Sequence, residues 1–198
     1  MCGRYQFSTI KYQDLQMILE DAQRRSTSEL NFHTLDDGEI TPGIVAPVMI
    51  RNGQKVIADM QRWGWPGLRG GTIINARSET VCEKRLFQRS MAAQRCIIPA
   101  AAYYEWDASK HKYLFQLGDK PLYLAGIYDC INGINCFIIL TTAPNESVTP
   151  IHDRMPLILT REQVRPWLCD DYAAIHLLAA QPPLLQREAC DGQLRFDI

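Results

Sequence analysis

The first four residues carry the most unusual chemistry in the sequence. Cys2 directly follows Met1, and because cysteine is a small residue we expect cells to remove Met1. Cys2 would then carry a thiol and a free α-amine on one residue. An α-amine has a pKa of about 7.7–8.0, against about 10.4 for a lysine amine, so more of it is neutral and nucleophilic at pH 7. Such an aminothiol can condense with an aldehyde to form a thiazolidine, or act as an N-terminal hydrolytic nucleophile.

Three further stretches place reactive side chains outside any obvious amphipathic pattern. Asn75 and Arg77 fall at a predicted strand-to-helix junction, Glu105 stands among aromatic residues, and His152 and Arg154 lie between two prolines. An aromatic, partly dry setting would raise the pKa of a carboxyl group toward the range that suits proton transfer. A histidine can give and take a proton near neutral pH. These residue types fit acid–base chemistry around a nucleophile.

The hydrophobic pattern predicts the elements that must position these residues. In the first third of the chain it predicts an extended segment at 5–8, a helix over 9–29 and a loop over 31–43. A hairpin of strands 44–50 and 55–63 follows, with Asn52-Gly53 at its turn. Next come a short strand at 73–77 and a helix that Ser78 caps and that continues to about residue 93.

The remaining pattern predicts a β-rich centre followed by helices. We expect extended structure at 96–106, strands at 113–117, 122–128, 136–142 and 155–159, and a short helix from Asn145. Helices at 160–168 and 171–180 and a last strand at 194–196 complete the prediction. Strands and helices do not alternate regularly, so a doubly wound parallel sheet is disfavoured. The pattern favours a single α+β domain over residues 1–198.

Composition excludes several classes of function. The chain has 198 residues, of which 46% are hydrophobic and 22% charged, and a net charge of −1, so DNA binding would need a local basic patch. No apolar run approaches the ~20 residues of a membrane span. The seven cysteines form no Cys-x-x-Cys pair, which argues against zinc and for a reducing compartment. No glycine-rich phosphate loop occurs, so we expect no cofactor and no metal.

The reactive stretches, taken in order, resemble the SOS response-associated peptidase (SRAP) domain family. The matching stretches are residues 1–4, Pro42 with 46–48, 62–64, 74–80, 95–100, 103–106, 125–126, 141–145 and 152–156. They cover most of residues 1–160, whereas residues 169–198 match weakly. The resemblance implies a curved or barrel-like mixed sheet, flanked by helices, with the N-terminus buried in a basic groove.

The resemblance also implies a function, which is to sense and shield abasic sites in single-stranded DNA. The α-amine of Cys2 would attack the aldehyde of the opened deoxyribose and form an imine. The thiol of Cys2 would then close a thiazolidine, which removes the imine that otherwise promotes strand cleavage. The size of the chain and the absence of a tail predict a bacterial protein of the cytoplasm, which we expect to be a monomer and to join the nucleoid when bound to DNA.

Residue roles follow from the positions that match the family. Around Cys2, Glu105 matches the catalytic carboxylate, Asn75 an active-site amide, and His152 a histidine linked to ring opening. For DNA contacts the matching residues are Arg4, Arg77, Arg154, Trp63 and Pro42, with Trp65 nearby. The arginines would bind phosphates, and Trp63 would stack on a base. The loop after Trp65 is shorter than in the family, which leaves contacts to duplex DNA open.

Two other functions remain open at this point. The family name indicates a thiol-dependent peptidase, or an autopeptidase that acts on its own N-terminal extension, and Cys2 with Glu105, Asn75 and His152 would also suit that reaction. A lyase-like activity on the abasic site belongs to the same chemistry. A non-covalent reader of DNA structure or modified bases would need the arginines and tryptophans but not Cys2.

Overall fold

A computed structural model describes residues 2–26, 37–67 and 70–190 of the chain. The described helices are α1 (Gln13–Arg25), α2 (Arg85–Ala93), α3 (Arg161–Cys169) and α4 (Asp171–Leu177). The described strands are β1 (Tyr5–Ser8), β2 (Asp37–Ile40), β3 (Val45–Asn52), β4 (Lys55–Trp63), β5 (Trp65–Pro66), β6 (Thr72–Ile73), β7 (Asn75–Arg77), β8 (Arg95–Ala100), β9 (Ala102–Trp106), β10 (Lys112–Gln116), β11 (Leu122–Ile131), β12 (Ile134–Thr142), β13 (Met155–Pro156), β14 (Ile158–Leu159) and β15 (Gln186–Ala189).

Five of these strands close into a barrel. The ring runs β12, β4, β3, β8, β11 and back to β12. All of its pairings are antiparallel except that of β12 with β4, where Phe137 lies opposite Trp63. Closure leaves no free edge within the ring, so its backbone donors and acceptors are used internally. The predicted α+β class with a barrel-like sheet core is therefore confirmed.

A second sheet lies beside the barrel and carries the N-terminus. Its strand order is β15, β10, β9, β1 and β2. Strand β1 lies between β9 and β2, with Tyr5 opposite Tyr103 on one side and Ile40 on the other. A backbone hydrogen bond of 2.9 Å from the Tyr104 nitrogen to the Arg4 carbonyl extends the pairing of β1 with β9 toward the N-terminus. Cys2 is thereby brought to the Glu105 end of β9.

Strand β12 links the barrel to the other predicted site residues. On one stretch it pairs in parallel with β7, with Ile139 opposite Asn75 and Thr141 opposite Arg77. At its end Thr142 pairs with Met155 of β13, directly after the loop that contains His152. One strand therefore fixes the spacing between the Asn75 segment and the His152 loop.

The barrel and the helices enclose two clusters of buried side chains. Inside the barrel and below the second sheet lie Tyr5, Trp63 and Phe137, together with the Cys2 side chain. The second cluster, around Trp167, fills the space between the barrel wall and helices α2, α3 and α4. Helix α1 packs against β3 and β4 through Leu15 and neighbouring apolar residues.

Several predicted boundaries were wrong, and hydrogen bonds explain two of the differences. Helix α1 begins at Gln13 rather than at residue 9, since the Ser8 hydroxyl accepts from the Lys11 nitrogen and forms a turn. Helix α2 begins at Arg85, because the Ser78 nitrogen donates to the Thr141 carbonyl on β12 and so extends the β7 pairing. Residues after Asn145 form consecutive turns rather than a helix.

Of the other predictions, two were confirmed, one was wrong at β2 and one falls outside the described residues. The hairpin of β3 and β4, with its Asn52-Gly53 turn, is present, and Gly53 has the positive φ (60°) that such a turn favours. Helix α3 follows Thr160 as expected, and the Thr160 nitrogen donates to the Gln163 side chain at 2.9 Å. The loop predicted over 31–43 contains strand β2 instead, and the strand predicted at 194–196 lies beyond the described residues. None of the described helices is long and apolar enough to cross a membrane.

Candidate active site

The side chain of Cys2 lies inside the fold, at the mouth of the barrel. It is fully buried, and its Sγ lies 3.8 Å from the Arg4 carbonyl. Burial raises the pKa of the Cys2 thiol well above its ordinary value, and the charge of Glu105 raises it further. The thiol is therefore protonated at neutral pH rather than present as the nucleophilic thiolate.

Asn75 binds the main chain of Cys2. Its Nδ2 donates a hydrogen bond of 2.9 Å to the Cys2 carbonyl, across 73 positions of sequence. The pairing of β7 with β12 holds Asn75 in this place. Its Oδ1 is buried and accepts no hydrogen bond from any residue in the described ranges. A buried acceptor without a donor is costly, so this oxygen is suited to bind an amine or hydroxyl that enters the site.

Glu105 is a buried carboxyl group at the end of β9. Its exposed fraction is 2%, because Tyr103 and Glu105 occupy the inward-facing positions of the strand. Burial raises the pKa of Glu105 to about 7, and the nearby charge of Asp153 acts in the same direction. A carboxyl group with this pKa can both donate and accept a proton at neutral pH, as general acid–base catalysis requires.

His152 faces Glu105 from the loop between β12 and β13. Its Nε2 lies 3.8 Å from Oε2 of Glu105, and its Nδ1 accepts a hydrogen bond of 3.0 Å from the Arg154 backbone nitrogen. Because Nδ1 is the acceptor, the neutral ring carries its hydrogen on Nε2, the nitrogen that faces Glu105. Burial lowers the pKa of His152, while the carboxylate of Asp153, 3.0 Å from Nδ1, opposes that shift.

Cys2, Asn75, Glu105 and His152 thus converge on one place, which we call the reaction pocket. Four separate segments of the chain supply them: the N-terminus, β7, β9 and the loop before β13. The pocket combines a sulfur nucleophile, an amide and two groups with pKa values displaced toward or below neutrality. Within the described ranges, no cluster of three or more His, Cys, Asp or Glu side chains could hold a metal ion.

The three predicted phosphate-binding arginines, which we call the arginine rim, differ in their partners. Arg4 pairs with Glu39, and its guanidinium lies 5.6 Å from the ring centre of Trp106. Arg154 makes two hydrogen bonds to Glu79, of 2.7 and 2.9 Å. Arg77 is exposed, and its side chain makes no hydrogen bond or ion pair to any described residue. Arg77 is therefore the rim arginine that is most accessible to a phosphate.

The structure contradicts the prediction that Trp63 stacks on a base. Its indole is 0% exposed, lies between the rings of Tyr5 and Phe137, and donates to the Ile74 carbonyl at 3.1 Å. Trp65 is also buried and donates to the Cys136 carbonyl at 2.7 Å. Both tryptophans anchor the core, because their inward-facing positions on β4 and β5 leave no ring face to solvent.

Two surface features complete the picture of the site. Pro42 is exposed in the turn between β2 and β3, where the Ile44 nitrogen donates to the Thr41 carbonyl at 3.2 Å. Trp106 is half-buried, follows Glu105 directly and points to the opposite face of β9. Lys112 lies 5.9 Å from the Trp106 ring centre. No role was predicted for Trp106, which lies in the matching stretch 103–106, although the alternation of side chains along a strand indicates its outward position.

Comparison with known proteins identifies relatives over most of the chain. The family model described as SOS response associated peptidase (SRAP) matches residues 1–189. The abasic site processing protein YoqW of Bacillus subtilis is 36% identical over 156 residues, which cover 68% of this chain and 70% of YoqW. The abasic site processing protein YedK of Escherichia coli is 27% identical over 180 residues, covering 85% of this chain and 79% of YedK.

A solved structure agrees with the architecture. A protein from Bordetella bronchiseptica superposes with a TM-score of 0.73 at 25% sequence identity, over 95% of this chain and 99% of that protein. The match extends across the barrel, the second sheet and the helices, so the arrangement described above is one that a related chain adopts.

Proposed function

Because the chain belongs to the SOS response associated peptidase (SRAP) family, we propose that it processes abasic sites in DNA and captures them covalently through Cys2. The relatives named as abasic site processing proteins support the substrate class. The observation that carries the covalent step is the hydrogen bond from Asn75 Nδ2 to the Cys2 carbonyl. It fastens the N-terminal residue beside Glu105, where an α-amine on Cys2 would meet a carboxyl group able to transfer protons.

The proposed reaction begins with the amine. After removal of Met1, the Cys2 nitrogen attacks the aldehyde carbon of the opened deoxyribose and forms a carbinolamine. Protonated Glu105, with a pKa of about 7, gives its proton to the departing hydroxyl, and water and a protonated imine result. The amine attacks first because burial keeps the Cys2 thiol protonated, which makes the thiol the weaker nucleophile at this stage.

Ring closure then uses the thiol. The sulfur adds to the carbon of the protonated imine, whose nitrogen keeps its hydrogen and becomes a secondary amine. The thiol proton passes to Glu105, now a carboxylate, which thereby returns to its protonated starting state. The Asn75 Oδ1 is a ready acceptor for the Cys2 amine or a sugar hydroxyl, and the Nε2–H of His152 can donate to an oxygen of the sugar.

DNA contacts follow from charge and exposure at the rim. Arg77 would bind a phosphate beside the lesion in bidentate geometry. Trp106, rather than Trp63, offers an aromatic face for an unpaired base, and Arg4 lies over that ring. These contacts suit a single strand, whose bases can be splayed out. We propose that the protein acts as a monomer in the cytoplasm, at the nucleoid when bound.

The thiol-dependent peptidase is the weaker alternative on the same site. A peptidase nucleophile is activated by a lowered thiol pKa or by a base next to the sulfur. Here burial and the charge of Glu105 both raise the pKa of the Cys2 thiol. An aminothiol that attacks through its nitrogen first does not need a thiolate.

A crosslinking assay with matched cysteine variants tests the proposal. Met1-free protein is incubated with single-stranded DNA that carries one abasic site, and a denaturing gel is run after heating. We expect a heat-stable adduct with the wild type and with Cys130→Ala, which alters an exposed cysteine, and no adduct with Cys2→Ala. Absence of a wild-type adduct would contradict covalent capture.

Two further samples separate the amine from the thiol. Cys2→Ser keeps a small residue after Met1 and a free amine, so it should form an imine that borohydride traps but no heat-stable adduct without reduction. A heat-stable adduct from Cys2→Ser would exclude the thiazolidine. DNA whose abasic site has been reduced to an alcohol beforehand should give no adduct. If it still competes fully in a native gel, non-covalent recognition contributes most of the binding.

A further inference from the structure

Glu79 lies outside the reaction pocket but is joined to it through Arg154. Both oxygens of Glu79 accept hydrogen bonds from the Arg154 guanidinium, at 2.7 and 2.9 Å. The Arg154 side chain is 13% exposed and that of Glu79 is 46% exposed, so the carboxylate lies on the solvent side of the guanidinium. A bidentate pair of this kind fixes the orientation of the arginine as well as its position.

The pair belongs to a closed ring of contacts on β12. The Thr141 carbonyl accepts from Arg154 Nη2 at 2.7 Å and from the Ser78 backbone nitrogen at 2.9 Å. Ser78 is the neighbour of Glu79, so the turn after β7 and the loop before β13 are fastened to the same carbonyl and to each other. This ring joins two segments that are 75 positions apart in sequence.

The ring reaches the reaction pocket through the main chain of Arg154. The same residue whose side chain Glu79 holds donates its backbone N–H to His152 Nδ1, at 3.0 Å. That hydrogen bond keeps the hydrogen of the neutral imidazole on Nε2, the nitrogen that faces Glu105. The carboxylate of Asp153 also lies near Nδ1, and this contact would favour the opposite tautomer, with the hydrogen on Nδ1.

We infer that Glu79 is a positioning residue for His152. Its carboxylate fixes the side chain of Arg154. The main chain of Arg154, kept in place in this way, favours the imidazole tautomer that presents Nε2–H to the pocket. The inference rests on the proposed function only for its effect on rate. Without Glu79, a mostly buried guanidinium would lose its counter-charge and turn toward solvent, which would move the loop that carries His152.

A competing role for Glu79 makes a different prediction. The carboxylate covers the solvent side of Arg154, so it could act only as an anion that a DNA phosphate displaces. In that case its removal would free Arg154 and strengthen binding to undamaged single-stranded DNA. One additional phosphate contact would steepen the slope of log K against log salt by about 0.7. A positioning role leaves that slope unchanged and changes the imidazole instead.

The test compares the full Met1-free chain with Glu79→Ala, Glu79→Gln and the control Glu83→Ala. Glu83 is exposed in the same turn, and its side chain makes no ion pair within the described residues, so the control matches the change in charge. The imidazole 15N spectrum reports the tautomer without any DNA, and loss of signals in His152→Ala assigns His152 among four histidines. Thermal melting verifies that each variant is folded.

We expect the Nε2–H tautomer of His152 in the wild type and in Glu83→Ala, and a mixture of tautomers in Glu79→Ala. The crosslinking rate of Glu79→Ala at saturating DNA should fall about tenfold, because a positioned proton donor contributes at least that much to a rate. The DNA concentration that gives half of the maximal rate should not change. Glu79→Gln, which retains one acceptor oxygen for Arg154, should recover part of that loss.

Two results would overturn the inference. One is a His152 tautomer in Glu79→Ala that is the same as in the wild type. The other is tighter binding of Glu79→Ala to undamaged DNA, with a steeper salt slope and an unchanged rate, which would identify Glu79 as a competing anion. If the wild type formed no adduct, the proposed function would fail, whereas the tautomer measurement would still decide the role of Glu79.

Discussion

The reaction pocket and the arginine rim are neighbours, but different physical effects act on their polar groups. In the pocket, burial sets the properties of Glu105 and of the Cys2 thiol, whose pKa values are raised by loss of water. At the rim, Arg4 and Arg154 are held by carboxylates near the surface. Under the proposed function the pocket transfers protons and the rim binds phosphates, while Glu79 stays on Arg154 and holds it in place. Changes in the pocket should alter rates and pH dependence, and changes at the rim should alter salt dependence.

The sharpest contrast is between the two tryptophans, Trp63 below the pocket and Trp106 at the rim. Trp63→Ala should lower the free energy of unfolding by about 3–5 kcal/mol, because a fully buried indole is lost. Trp106→Ala should lower the free energy of unfolding much less, because this ring is only half-buried, but it should weaken binding to single-stranded DNA, since stacking contributes about 1–3 kcal/mol per base. Urea denaturation and a DNA titration measure the two effects. Equal loss of stability in both variants would remove the distinction between pocket and rim.

Burial of Glu105 predicts an unusual dependence of stability on pH. The folded protein holds this proton up to about pH 7, whereas the unfolded chain loses it near the ordinary value of 4.5. Between these pH values the native state binds more protons, so stability falls as pH rises. Glu105→Gln removes this contribution, so it should gain about 3 kcal/mol relative to wild type between pH 4.5 and pH 8. Urea denaturation at both pH values measures the difference.

A stability difference between Glu105→Gln and wild type that stays constant over this pH range would contradict the raised pKa. Asp107→Asn is the matched control, because it also replaces a carboxylate by an amide. Loss of water alone would raise the pKa of Asp107, but hydrogen bonds from His111 lower it below its ordinary value of 3.8, so its contribution to stability is lost only as pH falls below that value. The difference between Asp107→Asn and wild type should therefore stay constant over the same pH range.

The crosslinking rate should also depend on the protonation of Glu105. Glu105→Gln cannot give and take back a proton, so we expect the rate at pH 7 to fall by about a hundredfold or more. In the wild type the rate should decline above about pH 7, as Glu105 loses the proton that the departing hydroxyl needs. Single-turnover rates across pH measure both. A variant that retained the full rate would show that another group transfers these protons.

The smallest expected effect lies at the rim. Arg77→Ala should weaken binding to undamaged single-stranded DNA and reduce the magnitude of the salt slope by about 0.7, as expected for one lost phosphate contact. Arg4→Ala should reduce it less, because Arg4 already pairs with Glu39. Titrations at several salt concentrations give the slopes. If Arg77→Ala changed the crosslinking rate at saturating DNA but not the slope, Arg77 would belong functionally to the pocket.

Local signals in the sequence predicted those parts of the fold that neighbouring residues determine. The hairpin of β3 and β4 was readable because Asn52-Gly53 specifies its turn, and α3 because Thr160 caps it. The barrel closes through the parallel pairing of β12 with β4, whose paired residues are more than 70 positions apart. No local period records such a pairing, so closure was expected only from the family resemblance.

The site was predicted by residue type but not by environment. The family resemblance pointed to Cys2, Asn75, Glu105 and His152, and the structure places Asn75 against Cys2 and His152 facing Glu105. Burial of Trp63 was not readable, because a tryptophan next to glycine fits a surface loop as well as a barrel wall. The pairing of Arg154 with Glu79 was also not predicted. The arginines in both of these stretches were expected to contact DNA rather than a carboxylate of the chain.

The use of β12 as a common partner has a consequence for how this chain can change length. Strand β12 sets the distance between Asn75 and the His152 loop, because β7 and β13 both pair with its residues 139–142. The exposed turn at Asn132-Gly133 lies outside this span. Insertions there would lengthen the outer surface while leaving the distance between the reacting groups unaltered. That turn is therefore where we would graft a fluorescent reporter or an affinity tag, in preference to the N-terminus.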